Sequence, residues 1–453
     1  MPWIALFAVA AVGLAVFWPG LSAWFQLDDF AWLQIVRHTG HASWLSPVLR
    51  ATPHGTWRPI TDGLFFAVFN RLFGLDGHPY RVLVHATYAL DVVLIGVLAS
   101  RLGAGRIESA LAALLFAVNG GLVVPMAWTC SYNQILAITF VVGGLLAWRA
   151  WCVDGGWPRY LLVLTLQLFG LFVLELLIVF PLVAALYVVC FMPRARWRAL
   201  APALAPLVLL AGSWALIHVL HAPPAKTGPY HAHIGLGMFE SLWRYWRWTV
   251  LPPHRWETEW WRSLIPVIVG LALIAYAIAV RRHDRRPLFF AGLYVTLLLP
   301  ALPLTDHVVE NIVAAPALAF ALWLAAFLAA VARRQVVARV AVAALVLPFI
   351  FETALLSHGG CAWWSANSVA IERVARVLME RRAHLPPADE LRLRGASYDF
   401  LRFGFTGGQL FQALDLEPAC VEVEPSSDLG LSTADVCGPP RASVPSDILS
   451  LTK

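Results

Sequence analysis

Residues 18 to 32 read WPGLSAWFQLDDFAW and set two carboxylates side by side, Asp28 and Asp29, directly after an apolar run in a chain where charge is scarce. Adjacent carboxylates repel, and the repulsion can hold one of them at a raised pKa, poised to take a proton or bind a cation. Phe30 and Trp32 follow them, so the pair can act on a substrate that itself lies at the membrane surface. Both side chains are expected at the rim of an aqueous cavity. A third acid, Glu175, interrupts the long apolar run from Tyr160 to Phe191. An acid there is expensive unless it marks a turn at the outer face or points into a cavity. His307 and Glu310 stand in a loop without Lys or Arg and can line the same space. His231 and His233 alternate, and His218 and His221 are one helical turn apart, so each pair offers metal ligands, although no spacing matches a zinc site. Neither a P-loop nor a dinucleotide fingerprint is present.

The elements that must position these groups are membrane helices. Of 453 residues, 60% are hydrophobic and 13% charged, with a mean hydropathy of +0.70, whereas soluble domains carry about 25% charged residues. Apolar segments of roughly 17–25 residues cross a bilayer. They fall near residues 2–19, 82–100, 107–125, 134–150, 159–174, 176–192, 200–220, 263–280, 288–304, 312–332 and 340–357, about eleven spans. The run from Tyr160 to Phe191 is split at Glu175, with Pro181 opening the return helix. The first span reads as an uncleaved anchor, since it lacks a basic segment before it. The net charge of +6 comes from short arginine clusters between apolar runs, not from one basic face, which argues against nucleic acid as a partner. With the amino terminus inside, Arg101 and Arg106, Arg149 and Arg159, RARWR, RRHDRRP and RRQVVAR all fall on one side, the positive-inside pattern of a bacterial inner membrane. An odd span count then places the tail outside, in the periplasm.

Three segments on the outer face are long enough to do more than connect helices: residues 20–81, residues 221–262 and the tail 358–453. The first has an apolar-periodic stretch near residues 60–73 suited to lie at the interface, and the second is dense in Trp, Tyr and Arg, as headgroup-level helices are. In the tail, WWSANSVAIERVARVLMERR has helical periodicity, and LRLRG, GGQLFQAL and ACVEVEP suggest a small β-α-β unit. Cys130, Cys152, Cys190 and Cys361 are isolated in or beside spans and read as small apolar packing. Cys420 and Cys437 lie in the polar tail, where an oxidising compartment permits a disulfide. The fold class is therefore an all-α polytopic membrane domain, residues 1–357, followed by a small α/β extracytoplasmic domain.

The order of the acid pair, WRPITDGLFFAVFNRLFG, GHPYRVLVH, MAWTCSYNQILA and then Glu175 resembles the GT-C superfamily of membrane glycosyltransferases, which use lipid-linked sugars. It is most similar to the transmembrane O-mannosyltransferases with tetratricopeptide repeats and to their bacterial relatives. In those relatives an acidic pair follows the first span, an aromatic-Arg-Pro tripeptide (here Trp57, Arg58 and Pro59) precedes a re-entrant or interfacial helix, and a His lies in the second span (here His85). The likeness covers about residues 1–320. Where the relatives have a His-Pro dipeptide and later an Arg and an Asp, this chain has Asn119-Gly120, then Tyr132 and Gln134.

The resemblance implies an inverting transfer on the outer leaflet. An Asp acts as general base on an acceptor hydroxyl while a polyprenyl phosphate departs from the sugar. Asp28, first in the pair, is the implied base, with Asp29 orienting it or holding the acceptor. Carboxylates suit an oxocarbenium-like transition state. A departing phosphate needs positive charge, for which Arg58, Arg81, Arg244 and Arg247 are candidates, with His85, Glu175 and His307 as further substrate contacts. The implied partners are a polyprenyl-phosphate-linked sugar, membrane lipids and an acceptor that is protein, lipid or polysaccharide. No cofactor is implied, a divalent metal being the lesser alternative. Two other functions stay open: a transporter or flippase of lipid-linked saccharides, and an inactive scaffold of the same fold.

Overall fold

The computed structural model describes residues 3–38, 48, 56–221, 228, 230–251, 260–333, 335–382, 390–396, 400–405, 409–415, 420–425, 434–437 and 446–450. The helices, in chain order, are α1 (Trp3–Val16), α2 (Asp29–His38), α3 (Phe65–Phe73), α4 (Gly77–Arg101), α5 (Arg106–Ala117), α6 (Tyr132–Asp154), α7 (Trp157–Leu171), α8 (Phe180–Phe191), α9 (Arg194–Leu200), α10 (Leu204–His221), α11 (Gly237–Val250), α12 (Trp260–Val280), α13 (Arg286–Leu298), α14 (Ala314–Ala332), α15 (Val336–Arg382) and α16 (Gln409–Ala413). Among the described residues six helical stretches are long and apolar enough to cross a membrane: Gly77–Arg101, Thr129–Asp154, Arg194–His221, Ser263–Val280, Glu310–Ala332 and Val336–Glu380. Three shorter apolar stretches accompany them, Trp3–Val16, Glu175–Phe191 and Arg286–Leu298. Large apolar side chains face outward on the peripheral helices, including Leu209 and Leu220 on α10, Ile268 and Leu271 on α12, and Leu345 and Phe351 on α15. Water would not tolerate such a surface and lipid does, so the chain is a multi-pass membrane protein.

The centre of the bundle is α14, whose Ala314, Ala315, Ala317, Ala319, Ala321, Ala325 and Ala326 are fully buried. Small residues let neighbouring helix backbones approach closely, which is how helices associate where lipid supplies no hydrophobic drive. α4 is capped by Asp76, whose carboxylate accepts the His78 amide at 3.0 Å.

Several expected spans are shorter than a crossing because the chain breaks inside the bundle. The segment expected as 107–125 is helical only to Ala117 and continues as a buried irregular loop, residues 118–131. Such backbone survives at depth only where its polar groups find partners. Asn119 supplies two, accepting the Gly121 amide at 2.9 Å and donating to the Thr249 carbonyl at 3.0 Å. The run from Tyr160 breaks where Leu171 ends α7, turns through a 3-10 segment at Glu175–Val179, and returns as α8 with Pro181 in its first turn. The helices expected on either side of Ser357 are one. α15 has 47 residues, about 70 Å at 1.5 Å each, against roughly 30 Å of hydrocarbon. Gly359 and Gly360 do not stop it. A Cβ on Gly360 would come within 3.0 Å of Val123, so the glycine admits a close helix-to-loop contact.

Beyond α15 the backbone forms a four-stranded sheet of β1 (Glu390–Ala396), β2 (Cys420–Pro425), β3 (Ala434–Cys437) and β4 (Ser446–Ser450), in the order β3-β2-β1-β4. β1 runs parallel to β2 and β4, while β2 and β3 are antiparallel with Cys420 opposite Cys437. The side chains of both cysteines, and with them the expected disulfide, lie outside the described residues.

Candidate active site

The two aspartates have opposite environments. Asp29 is fully buried at the start of α2. Its Oδ2 accepts the Gln26 amide at 3.0 Å and its Oδ1 the Cys130 amide at 2.6 Å, so the carboxylate joins its own turn to the buried loop. Burial pushes its pKa up to about 8, against the opposing pull of those amides and of Arg81. Asp28 is exposed. The two carboxylates therefore do not share one rim: Asp28 meets solvent and Asp29 is enclosed by its own turn and the buried loop.

The turn that leads into them is strained. Leu27 has φ 52°, a left-handed conformation that costs a residue with a Cβ roughly 1–2 kcal/mol. Around it, the Gln26 side-chain amide donates to the Ala127 carbonyl at 3.0 Å, and the Trp128 indole donates to the Gln26 carbonyl at 3.0 Å.

Arg58 and Pro59 open a π-helical turn, Pro59–Leu64, that leads into α3. The turn is pinned to the break after α7: the Ile60 amide donates to the Phe172 carbonyl at 3.1 Å and the Thr61 hydroxyl to the Val173 carbonyl at 2.9 Å. This register delivers Arg58 to Glu175, with Nε 3.1 Å from Oε1 and 2.9 Å from Oε2. It also buries Asp62, which is 2% exposed. Asp62 Oδ2 lies 3.8 Å from Arg58 Nη1, and neither of its oxygens has a hydrogen-bond partner. Burial pushes the Asp62 pKa up to about 7, with Arg58 opposing and Glu175 and Asp28 adding to the rise. The carboxylate of Asp28 thus acts on Asp62 through space. It also acts on His307, whose pKa burial lowers, Asp28 raises and Arg58 lowers, and on Tyr230, whose pKa burial and Asp28 raise. The His307 and Tyr230 rings are 4.3 Å apart. Asp28, Arg58, Asp62, Glu175, Tyr230 and His307 therefore form one electrostatic neighbourhood, with an exposed carboxylate on one side and a guanidinium on the other.

No family model and no curated protein matches the sequence. Solved structures do match the fold. ArnT from Cupriavidus metallidurans, bound to undecaprenyl phosphate, superposes with a TM-score of 0.53 at 14% identity, over 92% of this chain and 85% of its own. The apo oligosaccharyltransferase of Archaeoglobus fulgidus gives 0.55 at 11% identity, over 94% and 64%. Its complex with Zn and sulfate gives 0.53 at 12%, over 91% and 62%. The chain has the GT-C fold. It spans less than two thirds of the oligosaccharyltransferase's length.

On the GT-C scaffold some expected site residues come together and others do not. Asp28, Arg58, Glu175 and His307 share the neighbourhood just described. Arg81 is fully buried beneath it, its Nε donating to the Gly20 carbonyl at 2.9 Å while both terminal nitrogens lack partners. His85 sits on the backbone, Nδ1 at 2.8 Å from the Arg81 carbonyl and Nε2 at 3.0 Å from the Phe17 carbonyl, so both ring nitrogens serve to join α1 to α4. Arg244 is exposed and pairs with Glu240 one turn back on α11, and Arg247 is half-buried on the same helix. His231 Nδ1 is 3.1 Å from His233 Nε2, which faces Asp306 at 3.3 Å on the surface. Among the described residues no group of three or more His, Cys, Asp or Glu is arranged to hold a metal ion. Asp62 was the residue to look for, an acid four positions after Arg58 and hence on the same helical face.

Proposed function

We propose that this protein is a membrane glycosyltransferase that moves a sugar from a polyprenyl-phosphate donor to an acceptor hydroxyl on the outer face of the bacterial inner membrane, with inversion. The observation that carries the reading is the contrast in the acid pair: Asp29 is buried and held by two backbone amides, while Asp28 is solvent-exposed and shares its field with Arg58. In this reading Asp28 takes the proton of the acceptor hydroxyl as its oxygen bonds to the anomeric carbon. The bond from that carbon to the phosphate oxygen breaks on the opposite face, which inverts the configuration. The terminal nitrogens of Arg58 receive the departing phosphate, and Glu175 holds the guanidinium in place through Nε. The ArnT neighbour, crystallised with undecaprenyl phosphate, supports a lipid-phosphate donor. The tail is assigned to the periplasm.

The test is to purify the two single variants Asp28→Asn and Asp29→Asn and measure release of free undecaprenyl phosphate from undecaprenyl-phosphate mannose, glucose and galactose. Asp28→Asn is expected to insert normally and lose about 100-fold or more in rate. Asp29→Asn turns an amide donor toward a backbone N–H and should lose about 1–3 kcal/mol of stability. Wild-type turnover in Asp28→Asn would sink the base assignment.

A further inference from the structure

Among the described residues only two non-glycine residues are left-handed, Leu27 with φ 52° and Asp415 with φ 54°, and they take part in the contacts of the carboxy-terminal tail with the two ends of the acid-pair element. The turn across Leu27 is closed by the Asp29 amide donating to the Gln26 carbonyl at 3.2 Å and by the Gln26 amide donating to Asp29 Oδ2 at 3.0 Å, but the leucine side chain itself gains nothing there. Asn and Asp enter it by bonding to their own backbone, and Leu cannot. A strained residue persists where its surroundings over-determine it, and such residues cluster at functional sites. The contacts from the buried loop act on Gln26 and Asp29. The Leu27 amide donates instead to the Phe403 carbonyl, at 2.7 Å.

Phe403 is itself anchored. It is 3% exposed, and its ring meets the edges of Trp363 and Trp364 on α15 at 5.6 and 5.3 Å. Trp364 stacks in turn on Trp128 at 6.4 Å, the residue that holds the Gln26 carbonyl. The tail then packs α16 on α2, burying Leu410, Phe411, Ala413 and Leu414. It closes with an ion pair between Asp415 and Arg37, in the last turn of α2. Both ends of the acid-pair element are therefore held by the tail, Leu27 before it and Arg37 near its finish.

We propose that Phe403 and Asp415 are positioning residues of the site: the tail fixes Leu27 in its left-handed turn and so aims the Asp28 carboxylate. The rate consequence rests on the transferase reading above, whereas the positional claim does not. The experiment uses the full-length protein in nanodiscs, wild type beside Phe403→Ala, Phe403→Leu and Asp415→Asn. Amide exchange by mass spectrometry should rise about tenfold at Leu27 in Phe403→Ala and Asp415→Asn, while peptides from α4 keep their protection. In the same two variants kcat with the undecaprenyl-phosphate sugars is expected to fall roughly 10- to 100-fold, the size of effect a misplaced group produces. KM for the lipid should stay within about twofold. Phe403→Leu, which keeps an apolar anchor, should regain most of both. Unchanged exchange at Leu27 in Phe403→Ala overturns the proposal. So does loss of protection throughout α4, because the tail would then be a general stabiliser. If the wild type releases no undecaprenyl phosphate from any of the three sugars, the transferase reading fails and the exchange measurement alone decides the positioning.

Discussion

The two ends of the bundle each carry a cluster of acids and arginines, and they are built on opposite plans. At the end where α5 begins, one arginine bridges two acids. Arg286 holds Asp284 through Nε and Nη2, at 2.9 and 2.7 Å, and Glu108 through Nη1 at 2.9 Å, and Arg333 faces the second Glu108 oxygen at 3.8 Å. At the end where Asp28 lies, Arg58 hydrogen-bonds Glu175 through Nε, and Asp62 is buried without a hydrogen bond to either oxygen, its Oδ2 3.8 Å from Arg58 Nη1. Buried polar groups in native proteins are hydrogen-bonded, so each exception asks for a cause. A saturated cluster fixes helices to one another. In the proposed reaction, a lipid phosphate with its sugar would bring acceptors for the arginine and hydroxyl donors for the acid.

The largest expected effect is a double dissociation between these two ends. Arg286→Met strands Glu108 and Asp284 in a half-buried site and should cost about 3 kcal/mol or more in stability, with the turnover of the surviving protein unchanged. Arg58→Met should do the reverse, losing about 100-fold or more in rate with a stability change near 1 kcal/mol. Melting temperature and undecaprenyl phosphate release, measured on both variants, check the pair. Equal loss of rate in the two would erase the distinction between the ends.

The second effect sharpens the comparison through redox chemistry. If the tail stands outside and the α5 end inside, Cys420 and Cys437 meet an oxidising compartment. Antiparallel partners have Cα atoms about 4.5–5.5 Å apart, within the span a disulfide needs, and the register makes these two cysteines partners. A bond closing so short a loop is expected to stabilise the tail by about 3 kcal/mol. Non-reducing mass spectrometry of alkylated protein should find these two joined, and free thiols at Cys152 and Cys190, which lie toward the other end in α6 and α8. Two alkylated thiols at Cys420 and Cys437 would remove the argument for a periplasmic tail.

Much of the scaffold was legible because charge is rare in so apolar a chain: the acid pair, the Trp57-Arg58-Pro59 tripeptide and Glu175 each stand out locally. What sequence could not give was partnership. His85 and Arg81 read as substrate contacts because they are polar groups in a span. In the fold they bond to the carbonyls of Phe17 and Gly20, left over where α1 ends in a 3-10 turn. Arg244 is absorbed by Glu240, a pairing visible at four-residue spacing but indistinguishable from a site residue until the helix is placed. Asp62 was passed over for the converse reason. A single acid normally reads as solvated, and its burial is created by the Phe172 and Val173 carbonyls, more than a hundred residues along the chain. The continuity of α15 was hidden by Gly359-Gly360, a local stop signal that tertiary packing overrides.

Asp62 also supplies the smallest and most specific expected effect, a pH dependence of donor binding. Its pKa in the folded protein is near 7, above the ordinary 3.8. Below pH 7 the carboxyl is mainly neutral, and the Arg58 nitrogens 3.8 Å away remain available to a phosphate. As pH rises through 7, Asp62 ionises, competes for Arg58 and repels the anionic donor. The proposed donor, a polyprenyl-phosphate sugar, is a phosphodiester with no ionisation of its own in this range, so the change would belong to the protein. KM for the lipid-linked sugar is expected to rise about fivefold between pH 5.5 and 8.5 in the wild type, corresponding to roughly 1 kcal/mol. It should be nearly flat in Asp62→Asn, which keeps a neutral side chain of the same shape at every pH. Stability carries the same sign. Between the unfolded and folded pKa values the folded state binds more protons, so the stability that Asp62 contributes is complete below about pH 4 and is lost as pH rises through 7. The Asn variant should therefore lose less thermal stability than the wild type over that interval. An equal KM rise in wild type and Asp62→Asn would place the titrating group elsewhere and leave Asp62 as an unpartnered acid with no part in holding the donor.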